Sequence, residues 1–384
     1  MAQQDTAVLD FGSEKITALI GERGVNGTIR VKGMGVCNYA GFLDGEFLAP
    51  EMLGESIRAA LSEASVSAGT RITRVYVGVP GEFSSVVCKE VSTTLNRKRK
   101  VKDADVFNLM SAGDNFDEKY EVINIQPVYY TLDNNLRVLS PIGAVSAKLG
   151  GVLSYIMAEK TFTDEVRKIL TAMGVPSVEF VSSVLAESLI LFNEDKRDGT
   201  AVLVDVGYLT TSVAIVKGDG LLSLRSFSQG GGHITGDLAT VLQIPFSDAE
   251  LLKRKVILSI EPSEEDIYEI NGKNGIKTFS AQLVNEIVSY RISVIARTIS
   301  KCLSTCEYEY PSYIPYSLTG GGIAFMRGAK DAIANTVGRE VEVVVPPYPQ
   351  INKPNLSSAW GLLDMAIKND EPVKKSFFAK IFKK

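Results

Sequence analysis

Residues 201–216 read AVLVDVGYLTTSVAIV, and this stretch decides the fold. Ala201, Val202, Leu203 and Val204 form a short apolar run, as in a strand buried on both faces. Asp205, Val206 and Gly207 interrupt it. Thr210, Thr211 and Ser212 carry hydroxyls out of the turn, and Val213–Val216 resume the run. The expectation is strand, tight turn, strand. An acid at the end of a buried strand, followed by a glycine turn with hydroxyls, suits a phosphate and its metal ion. The turn offers backbone N–H groups, and the acid holds a hydrated cation. Taken alone, the pattern equally fits an ordinary hairpin.

The chain repeats the pattern near its N-terminus. Residues 7–20 read AVLDFGSEKITALI: an apolar run ends in Asp10, passes Gly12, Ser13 and Lys15, and resumes at Ile16. Asp10 aligns with Asp205 and Gly12 with Gly207. Two acid-turn hairpins imply two related half-domains facing each other across a cleft.

The 384 residues allow two to four compact units, and 45% hydrophobic with 22% charged residues is a globular composition. No N-terminal apolar segment has signal-peptide length, and no apolar run is long enough to span a bilayer. Cys37, Cys88, Cys302 and Cys306 form no CxxC pair, and four scattered thiols fit a reducing cytosol. His233 is the only histidine, which excludes a His-rich zinc site and leaves a Ser–His–Asp triad only if His233 carries it.

Residues 1–81 alternate strand and helix patterns. Residues 82–160 change character and read as an inserted α+β subdomain. Its basic run Arg97, Lys98, Arg99, Lys100 has no interleaved aromatics and reads as a solvated loop, so no nucleic-acid partner is expected. The first half resumes at 161–195, and 193–199 reads as a polar turn. The second half covers 196–367, with a glycine turn at 229–232, a polar loop or short-strand region at 261–277 and a long amphipathic helix over 281–303. Residues 316–318 read as a strand delivering Thr319, Gly320, Gly321 and Gly322. The last body helix spans 359–367, and 368–373 is a linker.

Three glycine turns at strand ends carry the candidate chemistry: Gly12, Gly207 and Gly320–Gly322. The first two would clasp phosphates from opposite sides, with Lys15 as a point charge. The third lets the backbone approach a nucleoside or phosphate closely. Glu250 and Lys253 lie one turn apart on a helix face, placed either to meet a ribose or base or to pair on the surface.

This arrangement resembles the actin/Hsp70/sugar-kinase superfamily and, within it, the bacterial cell-division FtsA family over nearly all residues. Asp10–Lys15 matches the first phosphate motif, and Asp205-Val206-Gly207 with Thr210-Thr211 matches the second. Leu318–Gly322 matches the adenosine motif, and Leu185–Ser188 looks like a connecting helix. Gly231-Gly232-His233 resembles the turn after the second hairpin, with Ala249, Glu250 and Lys253 following as expected. Val128-Tyr129-Tyr130, Asp133 and Pro141-Ile142-Gly143 look like the subdomain that FtsA inserts.

The resemblance implies an α/β, actin-like fold of two ribonuclease-H-like halves around a nucleotide cleft. A small nucleotide-side subdomain is expected near 246–310. The implied cofactors are ATP and Mg, the ion held near Asp10 and Asp205 through water. The implied partners are the C-terminal peptide of the tubulin-like FtsZ, further copies of the chain in a filament, and other division proteins. Rival readings are a PilM-like pilus-assembly scaffold and a small-molecule kinase or ATPase. In the second phosphate motif, Tyr208, Leu209 and Ser212 stand where the family usually has further glycines and a closing acid, so nucleotide binding with slow or no hydrolysis is expected.

Residues 374–384, KKSFFAKIFKK, hold five of the 41 basic side chains and none of the 45 acids. At about 100° per residue, Phe377, Phe378, Ile381 and Phe382 fall within roughly 140° of arc. Lys380 and Lys383 lie opposite, Lys375 borders the arc, and Lys374 projects into it, where a terminal Lys can snorkel; Lys384 is the fifth lysine. This is the pattern of an interfacial helix on an anionic membrane surface, placing the protein peripherally on the cytoplasmic face of the cell membrane. The alternative is a helix docked on its own body.

Overall fold

A computed structural model describes residues 5–24, 27–111, 116–273, 275–348 and 352–370. The interfacial helix expected over 374–384 lies outside these residues. The first half opens with β1 (Thr6–Phe11), β2 (Lys15–Arg23) and β3 (Ile29–Asn38), a short hairpin β4 (Phe42–Leu43) and β5 (Glu46–Phe47), helix α1 (Pro50–Ala68) and β6 (Arg74–Val79). Gly33 and Gly35 let α1 lie directly on β3: a Cβ at Gly35 would sit 2.1 Å from the Ala60 carbonyl oxygen. After an insertion the half resumes with α3 (Lys160–Ala172), β11 (Ser177–Ser182) and α4 (Ser183–Leu191). Its sheet runs β11-β6-β1-β2-β3, with β1 antiparallel to β2 and parallel to β6.

The second half repeats the plan. Helix α5 (Glu194–Gly199) leads into β12 (Ala201–Val206), β13 (Thr211–Lys217) and β14 (Gly220–Phe227), then α6 (Gly231–Leu242) and α7 (Phe246–Lys253). A hairpin β15 (Ile267–Gly272) and β16 (Gly275–Ser280) precedes the long α8 (Ala281–Ser304), β17 (Tyr316–Thr319), α9 (Ala329–Val337) and β18 (Val341–Val343). The sheet runs β14-β13-β12-β17-β18, so β12 occupies the place of β1. The register Asp205↔Ser212 in the second hairpin corresponds to Asp10↔Thr17 in the first. The internal repeat is therefore one of topology as well as sequence.

The insertion holds β7 (Ser84–Lys100), α2 (Asp103–Met110), β8 (Tyr120–Thr131), β9 (Arg137–Val138) and β10 (Val145–Glu159) in a sheet ordered β7-β10-β8-β9 around its own core. It also leans on the second half. Ser154 Oγ donates to the Leu221 carbonyl at 2.6 Å, and the Asp219 N–H donates to the Pro127 carbonyl at 3.1 Å.

The final helix α10 (Ser357–Asp370) packs on β1, β2 and α4. At the crossing, a Cβ on Gly361 would lie 2.5 Å from the Ala186 carbonyl oxygen. Residues 357–367, expected in the second half, thus join the first-half core through Leu362, Leu363 and Ala366. The helix continues to Asp370, three residues into the expected linker. Other expectations also shift. The basic run Arg97–Lys100 ends strand β7 instead of forming a loop, because its partner β10 pairs with it through Val145↔Lys100 and Ser146↔Arg99. The polar turn at 193–199 is helix α5, capped by Asn193 Oδ1 on the Lys196 N–H at 2.9 Å. In the region expected as a loop or short strands, the short-strand alternative holds: residues 267–280 form a regular hairpin.

Candidate functional site

The two acid turns meet across a cleft of about 1040 Å³ between the halves. Each closes on itself: the Gly12 N–H donates to the Lys15 carbonyl at 3.0 Å and the Gly207 N–H to the Thr210 carbonyl at 2.9 Å. They also touch, since Ser13 Oγ accepts the Leu209 N–H at 2.9 Å. A hydroxyl of the first turn and an amide of the second, both phosphate-facing by the sequence reading, thus satisfy each other in this state.

The glycines beneath these turns exist because backbone abuts backbone. The Gly231 N–H donates to the Gly207 carbonyl (2.9 Å), the Gly232 N–H to that of Tyr208 (2.7 Å) and the Gly322 N–H to that of Val206 (2.8 Å). A Cβ on Gly322 would fall 2.2 Å from the Gly207 oxygen, and Gly320 adopts φ +92°, which favours glycine.

Of the expected site residues, Asp10, Gly12, Ser13, Lys15, Asp205, Gly207, Thr210, Glu250, Lys253, Gly320, Gly321 and Gly322 line the cleft. Thr211, Gly231 and Gly232 do not line it. Thr211 is buried in β13 and its hydroxyl donates to the Gln229 carbonyl at 2.6 Å, bracing the turn that leads into α6. Gly231 and Gly232 support the second turn from behind.

Lys253 is buried. Its ammonium reaches Glu250 Oε2 (2.7 Å), Thr235 Oγ1 (3.0 Å) and the Gly231 carbonyl (3.1 Å), and lies 5.3 Å from the centre of the Tyr208 ring. Burial pulls the Lys253 pKa down against the pull of Glu250, and the Glu250 carboxyl is held below its ordinary range by Lys253 and Thr235 despite burial. The pair is no surface bridge; it ties α7 to the start of α6 and lines the cleft.

Three carboxylates converge at the cleft floor. Asp10 accepts from Ser358 Oγ (2.7 Å) and Ser183 Oγ (3.5 Å), and Glu187 from Ser357 Oγ (2.6 Å). Burial, then the charge of Asp10, pushes Asp205 up to about 7. Burial and Asp205 push Glu187 well above the ordinary carboxyl range, and burial raises Asp10 against Ser358 and Lys15. Three acids competing for protons at the cleft floor form a site short of positive charge. Among the described residues no three His, Cys, Asp or Glu side chains are placed to ligate an ion by themselves. The three acids are a donor set that would suit a hydrated cation, and the glycines let the turns pack backbone on backbone beside them.

The comparisons with known proteins bear on this geometry. Residues 202–361 match the family model "Cell division protein FtsA", and residues 81–157 match "SHS2 domain inserted in FTSA". The chain belongs to the FtsA family. It is 23% identical over 369 residues to the cell division protein FtsA of Bacillus subtilis (strain 168), covering 94% of this chain and 83% of that protein. With the FtsA of Escherichia coli (strain K12) the figures are 24% over 376 residues, 92% and 88%. Among solved structures it resembles the PilM–PilN type IV pilus biogenesis complex (TM-score 0.63, 16% identity, 96% of this chain and 100% of that one). It also resembles MreB 5 of Spiroplasma citri bound to AMPPNP (TM-score 0.58, 12%, 98% and 99%). These likenesses establish the actin-like fold alone.

As an FtsA-family cell-division protein, the chain carries site residues that sequence reading passed over. Glu187 was read as part of a connecting helix, not as an acid of the site. Ser183, Ser357 and Ser358 hold the carboxylates but come from distant segments, with no local motif to mark them. Tyr208 was noted as a substitution; in the structure its ring packs on Gly232 and faces Lys253.

Proposed function

We propose that this FtsA-family protein binds ATP with Mg in the cleft, turns it over slowly or not at all, polymerises, and tethers the FtsZ ring to the cytoplasmic face of the membrane. The observation that carries the nucleotide reading is the closure of two glycine turns over Asp10, Asp205 and Glu187. A bound Mg would supply the positive charge these acids lack and draw the phosphates to the turns. Ser13 Oγ and the Leu209 N–H would exchange their mutual bond for phosphate oxygens, and Lys15 adds charge at the rim. Tyr208 and Leu209 crowd the turn and leave less room for an attacking water, which supports slow turnover. One actin-like relative in fold, MreB 5 of Spiroplasma citri, is bound to AMPPNP in one structure and to ADP in another.

Polymerisation finds support in two unlike surfaces. The tip of the inserted subdomain exposes Arg97, Lys98 and Lys100 near Leu136 and Ile142. The small subdomain exposes Glu261, Glu264 and Glu265 beside Ile260 and Ile267. Complementary patches on one chain suit a head-to-tail contact, which builds a filament where its rotation does not close into a ring. Phe246, Leu251 and Tyr290, exposed on α7 and α8, offer apolar anchors for an FtsZ peptide. Among the described residues no helix is long and apolar enough to cross a membrane. Membrane attachment is assigned to Lys374–Lys384, whose Lys residues each add about 1 kcal/mol near anionic lipid.

The test combines calorimetric titration with Mg·ATP, a steady-state turnover assay and liposome co-sedimentation. Saturable ATP binding is expected, with turnover below ~1 s⁻¹, low for an enzyme. Sedimentation should be lost in Phe377→Glu. Fast turnover, or sedimentation unchanged without residues 374–384, rejects the reading.

A further inference from the structure

The last described residue of α10, Asp370, sits where a carboxylate is unfavourable, at the negative end of a helix dipole. The fold answers it with a built site. Arg74 Nη1 on β6 donates to Asp370 Oδ1, Tyr76 OH to the same oxygen at 3.0 Å, and Thr6 Oγ1 on β1 to Oδ2 at 2.9 Å. Arg74 is itself fixed. Its Nη2 and Nε reach Glu179 Oε1 on β11 at 2.5 and 3.0 Å, and its guanidinium lies 4.7 Å from the Tyr76 ring centre. The Arg74 and Asp370 side chains are only 20% and 18% exposed, so the contact is a charge-assisted network and not a loose surface pair.

Two strands of the first sheet thus grip the end of one helix, a third fixes the arginine, and only three residues separate Asp370 from Lys374, at most about 14 Å of extended chain. The helix spans about 21 Å. Its other end places Ser357 and Ser358 on Glu187 and Asp10.

We propose that Arg74, Tyr76 and Thr6 form a socket that seats the root of the C-terminal tail, so that the body presents one fixed face to an anionic bilayer. The proposal rests on the reading that residues 374–384 bind lipid. Copies held with the same face down meet in the orientation a filament needs, which raises their effective concentration for one another. A tail on a loose tether would bind lipid equally well but leave the bodies to tumble. Arg74 is therefore a positioning residue.

The experiment uses the full chain on vesicles of phosphatidylglycerol and phosphatidylcholine, with a fluorescent amino acid at the exposed Val66 and acceptor lipids. It compares the parent, Arg74→Ala, Arg74→Lys and a ten-residue Gly-Ser insertion after Asp370 that leaves the socket intact. The parent should show one narrow body-to-bilayer distance. The insertion and Arg74→Ala should both broaden it and raise the threshold for cooperative vesicle binding about fivefold or more, with binding of dilute protein changed less than about twofold. Arg74→Lys should recover part of the loss. An insertion variant with the parent's distance and threshold overturns the socket while leaving lipid binding standing. A parent that does not bind vesicles overturns both.

Discussion

Replacing Asp205 by Asn should stabilise the nucleotide-free protein. Its carboxyl is pushed up to about 7 from an ordinary 3.8, first by burial and then by Asp10. A raised folded-state pKa means the native state holds a proton that the unfolded chain has released between those values, so stability falls as pH rises from about 4 to about 7. Above pH 7 the penalty is complete. A shift of about three units corresponds to about 4 kcal/mol. Asp205 borders an open cleft rather than a dry core, and roughly half of that, about 2 kcal/mol, is the expected gain for Asp205→Asn at pH 8. With about 2.1 cal/mol/K of unfolding entropy per residue, a chain this long melts roughly 2–3 °C higher. At pH 3.5, below the ordinary carboxyl value, native and unfolded chains both hold the proton, and the variant and the parent should melt within about 1 °C of each other. The assay is thermal unfolding in EDTA at both pH values, repeated with excess Mg·ATP. There the order should reverse, because the parent gains the cation and the variant does not. A variant that melts below the parent at pH 8 in EDTA, or a difference independent of pH, refutes the argument that these acids are strained until a cation arrives.

Further outcomes follow from the same geometry. Gly322→Ala places a Cβ 2.2 Å from the Gly207 oxygen and should part the two turns, weakening ATP binding at least tenfold by calorimetry while leaving far-UV circular dichroism unchanged. Lys253→Met takes the buried ammonium from Glu250, which keeps Thr235 and Arg254, and should cost about 1–2 kcal/mol by urea unfolding, and Lys253→Met with Glu250→Leu should regain most of it. Ser13→Ala removes the one hydrogen bond seen between the acid turns and should cost about 1 kcal/mol, read as a wider cleft by energy transfer between the halves without nucleotide.

The parts of the fold written locally were legible. Asp10 with Gly12, Asp205 with Gly207 and the Thr319–Gly322 turn each announce a strand end within a few residues, and the structure brings them to one cleft. What sequence reading missed depends on partners far along the chain. Strand β10 escaped notice because Gly150 and Gly151 interrupt its pattern. Those glycines are needed where β10 runs closely between its neighbours: a Cβ on Gly151 would lie 2.5 Å from the Tyr129 oxygen. Helix α10 was assigned to the half it follows, but its apolar face fits the sheet that begins 350 residues earlier. Ser358 and Asp10 meet across 348 positions, and no spacing rule links them. Lys253 and Glu250 were recognised as neighbours on a helix, but only α6 packing turns that pair from a surface contact into a buried wall.

Electron microscopy of the full chain on an anionic lipid monolayer, with and without Mg·ATP and with and without residues 374–384, decides whether the protein is a membrane-bound filament former. Ordered filaments are expected only when lipid, tail and nucleotide are together, with recruitment of added FtsZ to them. Filaments that form equally without the tail, or a tailed protein that coats the lipid with ATP but never orders, would contradict it.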